Sequence, residues 1–280
     1  MPSSRHKLHC QISQSLWNAI QSQLKDSGES LSHLIERSLA NELKITQHTL
    51  FQVSTSRALV EGVFGGCTTV EQLKQFGDFG LGTFDQLDGE MILLDGHCYQ
   101  ALQEGGLHEV GDEATVPFAT VTRFSTDHAF QLKQVSSFSD FTNQLDQIKP
   151  SSNLFAGFRV EGNFKTLALR TACRAEKEEK LVEAISHQSV FSVDDVVGTL
   201  VGFWAPPYSS AISVPGYHFH FVDEKRKLGG HVFDLTAESL EVAVHLENEI
   251  HLALPETREF LEADLQSDGS EKLKSAETSE

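Results

Sequence analysis

Hydrophobic positions follow two periods along this chain. Over residues 1–47 they recur at helical spacing. Leu16, Trp17, Ile20 and Leu24 share one face, and Leu31, Leu34, Ile35, Leu39 and Leu43 share another. Ser13 or Ser15 caps the first run, Ser27-Gly28-Glu29 breaks it, and Ser30 caps the second. Ahead of both, Lys7–Ile12 alternates polar and apolar as a half-buried strand does. Lys44–Thr49 reads as a linker. From Leu50 the pattern changes to short β-rich runs divided by glycine, with a helix over Val70–Phe76. Leu87–Gly96 is a strand between two Asp-Gly turn signals. Helices are predicted over Ser136–Leu145 and, with Leu181, Val182 and Ile185 inward, over residues 175–189; Phe164–Arg170 and Val196–Trp204 are strands. Leu240–His251 reads as a further strand pair, ended by Leu254-Pro255. Lys149-Pro150-Ser151-Ser152-Asn153 marks a boundary inside the body, and the acidic, Ser-rich tail from Glu256 carries the composition of disorder. The domains are therefore 1–47, a body over 48–261 with halves 48–149 and 150–261, and a tail over 262–280.

Gly216–Asp234 is the stretch with the clearest chemistry. In Gly216-Tyr217-His218-Phe219-His220-Phe221 the two histidines fall on one face of a strand and the aromatics on the other. The charged run Asp223–Lys227 makes a turn, and Leu228-Gly229-Gly230 opens a return strand bearing His231. Folding the hairpin about Lys225/Arg226 sets His220 opposite His231, where facing Cβ atoms lie about 4.5–5.5 Å apart. A β-bulge would alter that register. Three imidazoles with an open fourth position describe a catalytic zinc site, although imidazole also suits iron, copper and nickel. A lone His-x-His on a strand is ordinarily an unremarkable pair; the third histidine changes that reading.

Composition narrows the possibilities. The net charge of −18 sets the body against nucleic acid and anionic membranes. Four scattered cysteines (Cys10, Cys67, Cys98, Cys173) without a Cys-x-x-Cys pair suit a reducing, cytoplasmic setting, and no apolar run is long enough to span a membrane. Gly77–Phe84 is glycine-rich but lacks both the Lys-Ser/Thr of a phosphate loop and the dinucleotide spacing, so close backbone approach in a sheet is its reading.

The strand, helix, turn and helix within residues 1–47 resemble the ribbon-helix-helix family. That resemblance implies a paired-strand dimer whose outward residues are Lys7, His9 and Gln11. Five basic against four acidic residues leave this segment at only +1, so dimerisation is the stronger implication and DNA binding the weaker.

Three stretches taken together resemble the α-acetolactate decarboxylases. They are Gly77–Phe84 with Leu87-Asp88-Gly89-Glu90, Gly198–Trp204, and Gly216–Phe221 with Gly229-Gly230-His231. The resemblance runs from about Leu50 to the end of the chain. It implies an α+β, β-rich two-sheet body, usually a homodimer, that converts 2-acetolactate to acetoin and CO2 with one zinc per chain. It places zinc on His218, His220 and His231, a substrate-binding arginine at Arg170, an active-site glutamate at Glu90 and Thr83 beside it. A second glutamate from the returning tail maps best onto Glu277, with Glu280 an alternative. From composition alone, Glu90 and Arg170 are equally compatible with surface charges. The chain departs from the family at Ala172–Glu176 and Glu178–Lys180, where Pro-x-Gln and Pro-Tyr are usual. Two other classes remain: a metal-containing ligand sensor fused to a ribbon-helix-helix reader, and a cupin barrel, which lacks its glycine spacing and second-motif asparagine.

Overall fold

The computed structural model describes residues 8–27, 30–43, 48–176 and 179–266. Contacts divide the chain into two units, Met1–Gln47 and His48–Glu280. The first holds α1 (Gln14–Ser27) and α2 (Leu31–Leu43). Leu16, Trp17, Leu39 and Leu43 are all more than a third exposed. Residues 8–13, on which part of the expected ribbon strand falls, take no regular structure in the single chain. Lys7 lies outside the described residues.

The second unit is mixed α+β and β-rich. In chain order its strands are β1 (Thr49–Val53), β2 (Thr68–Thr69), β3 (Phe79–Thr83), β4 (Glu90–Leu94), β5 (His97–Ala101), β6 (Leu107–Glu109) and β7 (Thr115–Val116). They continue with β8 (Phe118–Thr122), β9 (His128–Val135), β10 (Phe155–Thr171), β11 (Ser189–Ala205), β12 (Gly216–Asp223), β13 (Gly229–Glu247) and β14 (Glu249–Ala253). The helices are α3 (Ser56–Val60), α4 (Val70–Phe76), α5 (Phe138–Ile148), α6 (Leu181–Ile185) and α7 (Arg258–Glu262). One sheet runs β14-β1-β8-β3-β4-β5-β6 and the other β10-β11-β12-β13-β9, with β10 also pairing to β13.

Three apolar layers hold these sheets. Leu50, Phe79, Leu81 and Ile92 of the first sheet meet Val201, Phe203 and Val222 of the second. The outer face of the second sheet packs Phe158, Phe164, Phe219 and Phe221 against Phe141 and Leu145 of α5. The outer face of the first sheet packs Phe51, Met91 and Leu93 against Val70 and Leu73 of α4. Strand alternation therefore sends Phe219 and Phe221 outward to α5 and leaves the histidines between them facing the other sheet. Gly202 makes room for this, since a Cβ there would come within 2.0 Å of the Phe219 ring.

Four expectations are corrected. Among the described residues of the segment 175–189, only Leu181–Ile185 are helical, and Val182 is exposed rather than inward. The reason is topological: Thr171 pairs with Ser189, so residues 172–188 form a hairpin connection that must reverse direction. Leu240–His251 is not a strand pair. β13 runs on to Glu247, the Asn248 and Glu249 amides both donate to the His48 carbonyl, and β14 crosses to pair in parallel with β1. The passage between sheets falls between β8 and β9, whereas Lys149–Asn153 joins α5 to β10 within the second sheet. The tail also begins with structure, because Thr257 caps α7 by accepting from the Phe260 amide.

Candidate active site

The hairpin places the histidines first. β12 and β13 pair without a bulge, with His220 opposite His231, Phe221 opposite Gly230 and Val222 opposite Gly229. On the other side of β13, Arg170 of β10 is directly opposite His231. Gly230 permits this close approach, because a Cβ there would sit 2.7 Å from the Arg170 carbonyl oxygen. Across the intersheet space, β3 ends at Thr83 and β4 begins at Glu90, which are themselves partners.

The rings converge. His218 Nε2 lies 3.2 Å from His220 Nε2 and 3.1 Å from His231 Nδ1. His220 Nδ1 is 2.9 Å from the Met91 carbonyl oxygen, which only accepts, so the proton is on Nδ1 and the Nε2 lone pair faces inward. Burial pushes all three imidazoles below their ordinary range, His220 to about 4, and the Arg170 charge lowers each further. The rings are thus neutral donors, His220 and His231 buried and His218 partly so.

Arg170 is buried and makes contacts on several sides. Its Nη1 donates to Gln188 Oε1 at 3.2 Å, its Nη2 is 3.2 Å from His231 Nε2, and its guanidinium carbon sits 4.7 Å from the Phe233 ring centre. Glu90 accepts from the Ala172 amide through Oε1 at 3.0 Å and turns Oε2 toward His220 Nε2 at 3.5 Å. Burial raises the Glu90 pKa, opposed by Arg170 and the Ala172 amide. The Thr83 hydroxyl donates to the Gly89 carbonyl at 2.9 Å, so what it offers a ligand is an acceptor lone pair. A cavity of about 60 Å³ joins Thr83, Glu90, Arg170, His218 and His231, walled by Leu59, Leu87, Phe118, Leu181 and Val214. Of the residues singled out in the sequence, six gather here and Glu277 lies outside the described residues.

The donor set suits a divalent cation. Ligand atoms of His218, His220 and His231 all lie within 4.8 Å of one another, and the Met91 carbonyl fixes the tautomer that metal binding requires of His220. At His231 there is a condition. A cation on Nδ1 puts the ring proton on Nε2, where it meets an Arg170 donor, so the Arg170–His231 contact and a cation on that nitrogen are alternatives.

A second cluster has no counterpart in the sequence reading. His48, Asp127 and His245 are close enough to share a ligand, and Glu247 joins them. The Nδ1 atoms of both rings face hydrogen-bonding partners. His48 Nδ1 donates to the Leu246 carbonyl at 2.8 Å, and His245 Nδ1 lies 3.3 Å from both Asp127 Oδ2 and Ser125 Oγ. The alternation of His245 and Glu247 inside an otherwise apolar run was the available signal. Gln188 left no such signal; only the tertiary contact reveals it.

An interior cavity that gathers acid, cation and imidazole side chains between two sheets defines a small-molecule enzyme. The family profile of alpha-acetolactate decarboxylase matches residues 50–267. The alpha-acetolactate decarboxylase of Methanosarcina mazei is 44% identical over 229 residues, 81% of this chain and 80% of that protein. That of Bacillus subtilis strain 168 is 38% identical, covering 82% and 90%. The crystal structure of the Bacillus subtilis strain 168 enzyme superposes with a TM-score of 0.80 at 37% identity, covering 82% of this chain and all of that one. This chain belongs to the alpha-acetolactate decarboxylase family.

Proposed function

We propose that this chain decarboxylates 2-acetolactate to acetoin and CO2, with His218, His220 and His231 holding one zinc ion. The observation that carries the reading is the meeting of His218, His231, a buried arginine and a buried glutamate around one cavity, with His220 Nε2 3.2 Å behind His218. Bound there, the cation supplies Lewis acidity to an oxygen on which negative charge develops. Arg170 binds the substrate carboxylate by charge-assisted hydrogen bonds and orients the carbon–carbon bond that breaks. CO2 leaves, and the bonding electron pair stays on the carbon next to the ketone, delocalised onto its oxygen. Glu90, through Oε2, the oxygen that faces the cluster rather than the Ala172 amide, delivers a proton to one face of that carbon. Glu277 from the tail is the alternative donor. Thr83 accepts from the substrate hydroxyl, and the walls of Leu59, Leu87 and Phe118 exclude water.

The protein acts as a cytoplasmic homodimer, and residues 1–47 form a tethered ribbon-helix-helix-like dimerisation module. Its exposed leucines and Trp17 support that reading, and its charge of only +1 places DNA binding behind it. No described helix is long and apolar enough to cross a membrane.

Purified protein given racemic acetolactate is expected to release CO2 and acetoin in equal amounts, with close to one zinc per chain by elemental analysis. Tight metal content with no turnover, combined with specific DNA retention in a gel assay, would favour a ligand sensor instead.

A further inference from the structure

We propose that Gln188 is a positioning residue that sets the Arg170 guanidinium for the substrate carboxylate, an inference that rests on the role given to Arg170 above. Arginine is long and rotamer-rich, so its usefulness as a clamp depends on what fixes the plane of its head group. Two of its contacts hold it from the sides: Nη1 to Gln188 Oε1 and Nη2 to His231 Nε2, each at 3.2 Å. They are not equivalent. The His231 contact needs a lone pair on Nε2, and a cation on Nδ1 removes that lone pair. An amide oxygen neither titrates nor ligates here, so Gln188 holds Arg170 whatever the state of the ring.

The location of Gln188 suits the task. It is the residue before β11, whose Val190 pairs with Arg170 itself, and its amide donates to the Ile185 carbonyl at 3.1 Å. The connection that ends in Gln188 begins with Ala172, whose amide holds Glu90 Oε1. One hairpin loop therefore positions both the arginine and the acid from opposite ends. A neutral acceptor is the right chemistry at this point. A carboxylate would pair with the guanidinium and compete with the substrate, while an apolar side chain would leave Nη1 without its acceptor in a buried site.

The test uses the full-length, metal-loaded protein and the variants Gln188→Met, Gln188→Glu and Arg170→Ala. Gln188→Met keeps the volume and removes the acceptor. It is expected to raise KM for acetolactate about tenfold, as loss of one charge-assisted hydrogen bond would, with a smaller change in kcat. Metal content stays at the parental value. Gln188→Glu should raise KM further. A kcat/KM within about twofold of the parent in Gln188→Met, beside a crippled Arg170→Ala, overturns the role of Gln188 alone. An unimpaired Arg170→Ala overturns the reading of Arg170 on which it rests. A second measurement guards against a purely structural effect: guanidinium ion added at millimolar concentration should partly restore Arg170→Ala. That rescue should weaken about tenfold in Arg170→Ala/Gln188→Met, where the free ion has lost its acceptor. Equal rescue in both backgrounds would also reject the proposal.

Discussion

Two histidine clusters in this molecule use nearly the same side chains, yet the pKa shifts of their rings run in opposite directions. In the first, among the described residues, His218, His220 and His231 share their space with Arg170 and one acid, Glu90. Burial and the arginine push all three rings down, so they face one another as neutral donors. In the second, His245 sits between two acids, Asp127 at 3.3 Å and Glu247 at 3.5 Å. Burial opposes its charge, yet Asp127 and Glu247 prevail and raise its pKa. Asp127 is held at about 2 by hydrogen bonds from His245 and the Leu246 amide against its own burial. Glu247 is driven up to about 7 by burial. Spacing alone would nominate both clusters for a cation. The neighbours differ: a nearby positive charge adds to burial in favouring neutral rings, whereas nearby carboxylates overcome burial and favour the charged ring of His245.

The contrast can be broken most sharply at the first cluster. His218→Ala removes the ring that touches both others. It should abolish stable zinc binding and lower kcat/KM by about a thousandfold or more, with the fold retained by circular dichroism. Full activity in that variant would end the mechanism. Arg170→Ala should cost about a hundredfold in kcat/KM, since it strips a buried charge partner from the carboxylate. It should also raise the affinity of the histidines for protons, because the charge that depresses them is gone.

The second cluster is tested through stability against pH. The folded Glu247 pKa lies above its ordinary 4.5, so its contribution is complete below that value and is lost as pH rises through about 7. The raised His245 has the same sign. Glu247→Gln should remove up to about 3 kcal/mol of this dependence, flattening the fall in melting temperature between pH 5 and pH 8. An unchanged slope would show that the group is not titrating as described. The first cluster has the opposite sign, since rings with depressed pKa values lose their contribution as pH falls. Metal retention should accordingly persist through neutral pH and fall away toward about 4, the value for His220, when protein is desalted at stepped pH and its zinc measured. Metal lost at pH 7 instead would mean the rings are less buried than they are here.

Much of the first cluster is legible from residue order. Period-two alternation put His218 and His220 on one face, and the charged turn about Lys225/Arg226 put His220 opposite His231, as the strands in fact pair. Residue order likewise gave the apolar spacing of α1, α2, α4 and α5, because each needs only local periodicity. It failed at residues 175–189, where helical spacing was overruled by the need to close a hairpin between Thr171 and Ser189. It failed again after Glu247, where a strand changes sheets, and it gave no hint of Gln188 on Arg170.

Sequence by itself determined which side chains share a face, since strand and turn geometry are local and carry a fixed period. Only the tertiary structure decided what those faces meet: the Met91 carbonyl behind His220, the arginine beside His231, the paired acids around His245. Charge state follows from those meetings, because it depends on burial and on neighbours brought from distant parts of the chain. That is why burial and Arg170 favour neutral rings in one cluster, while carboxylates favour the charged form of His245 in the other.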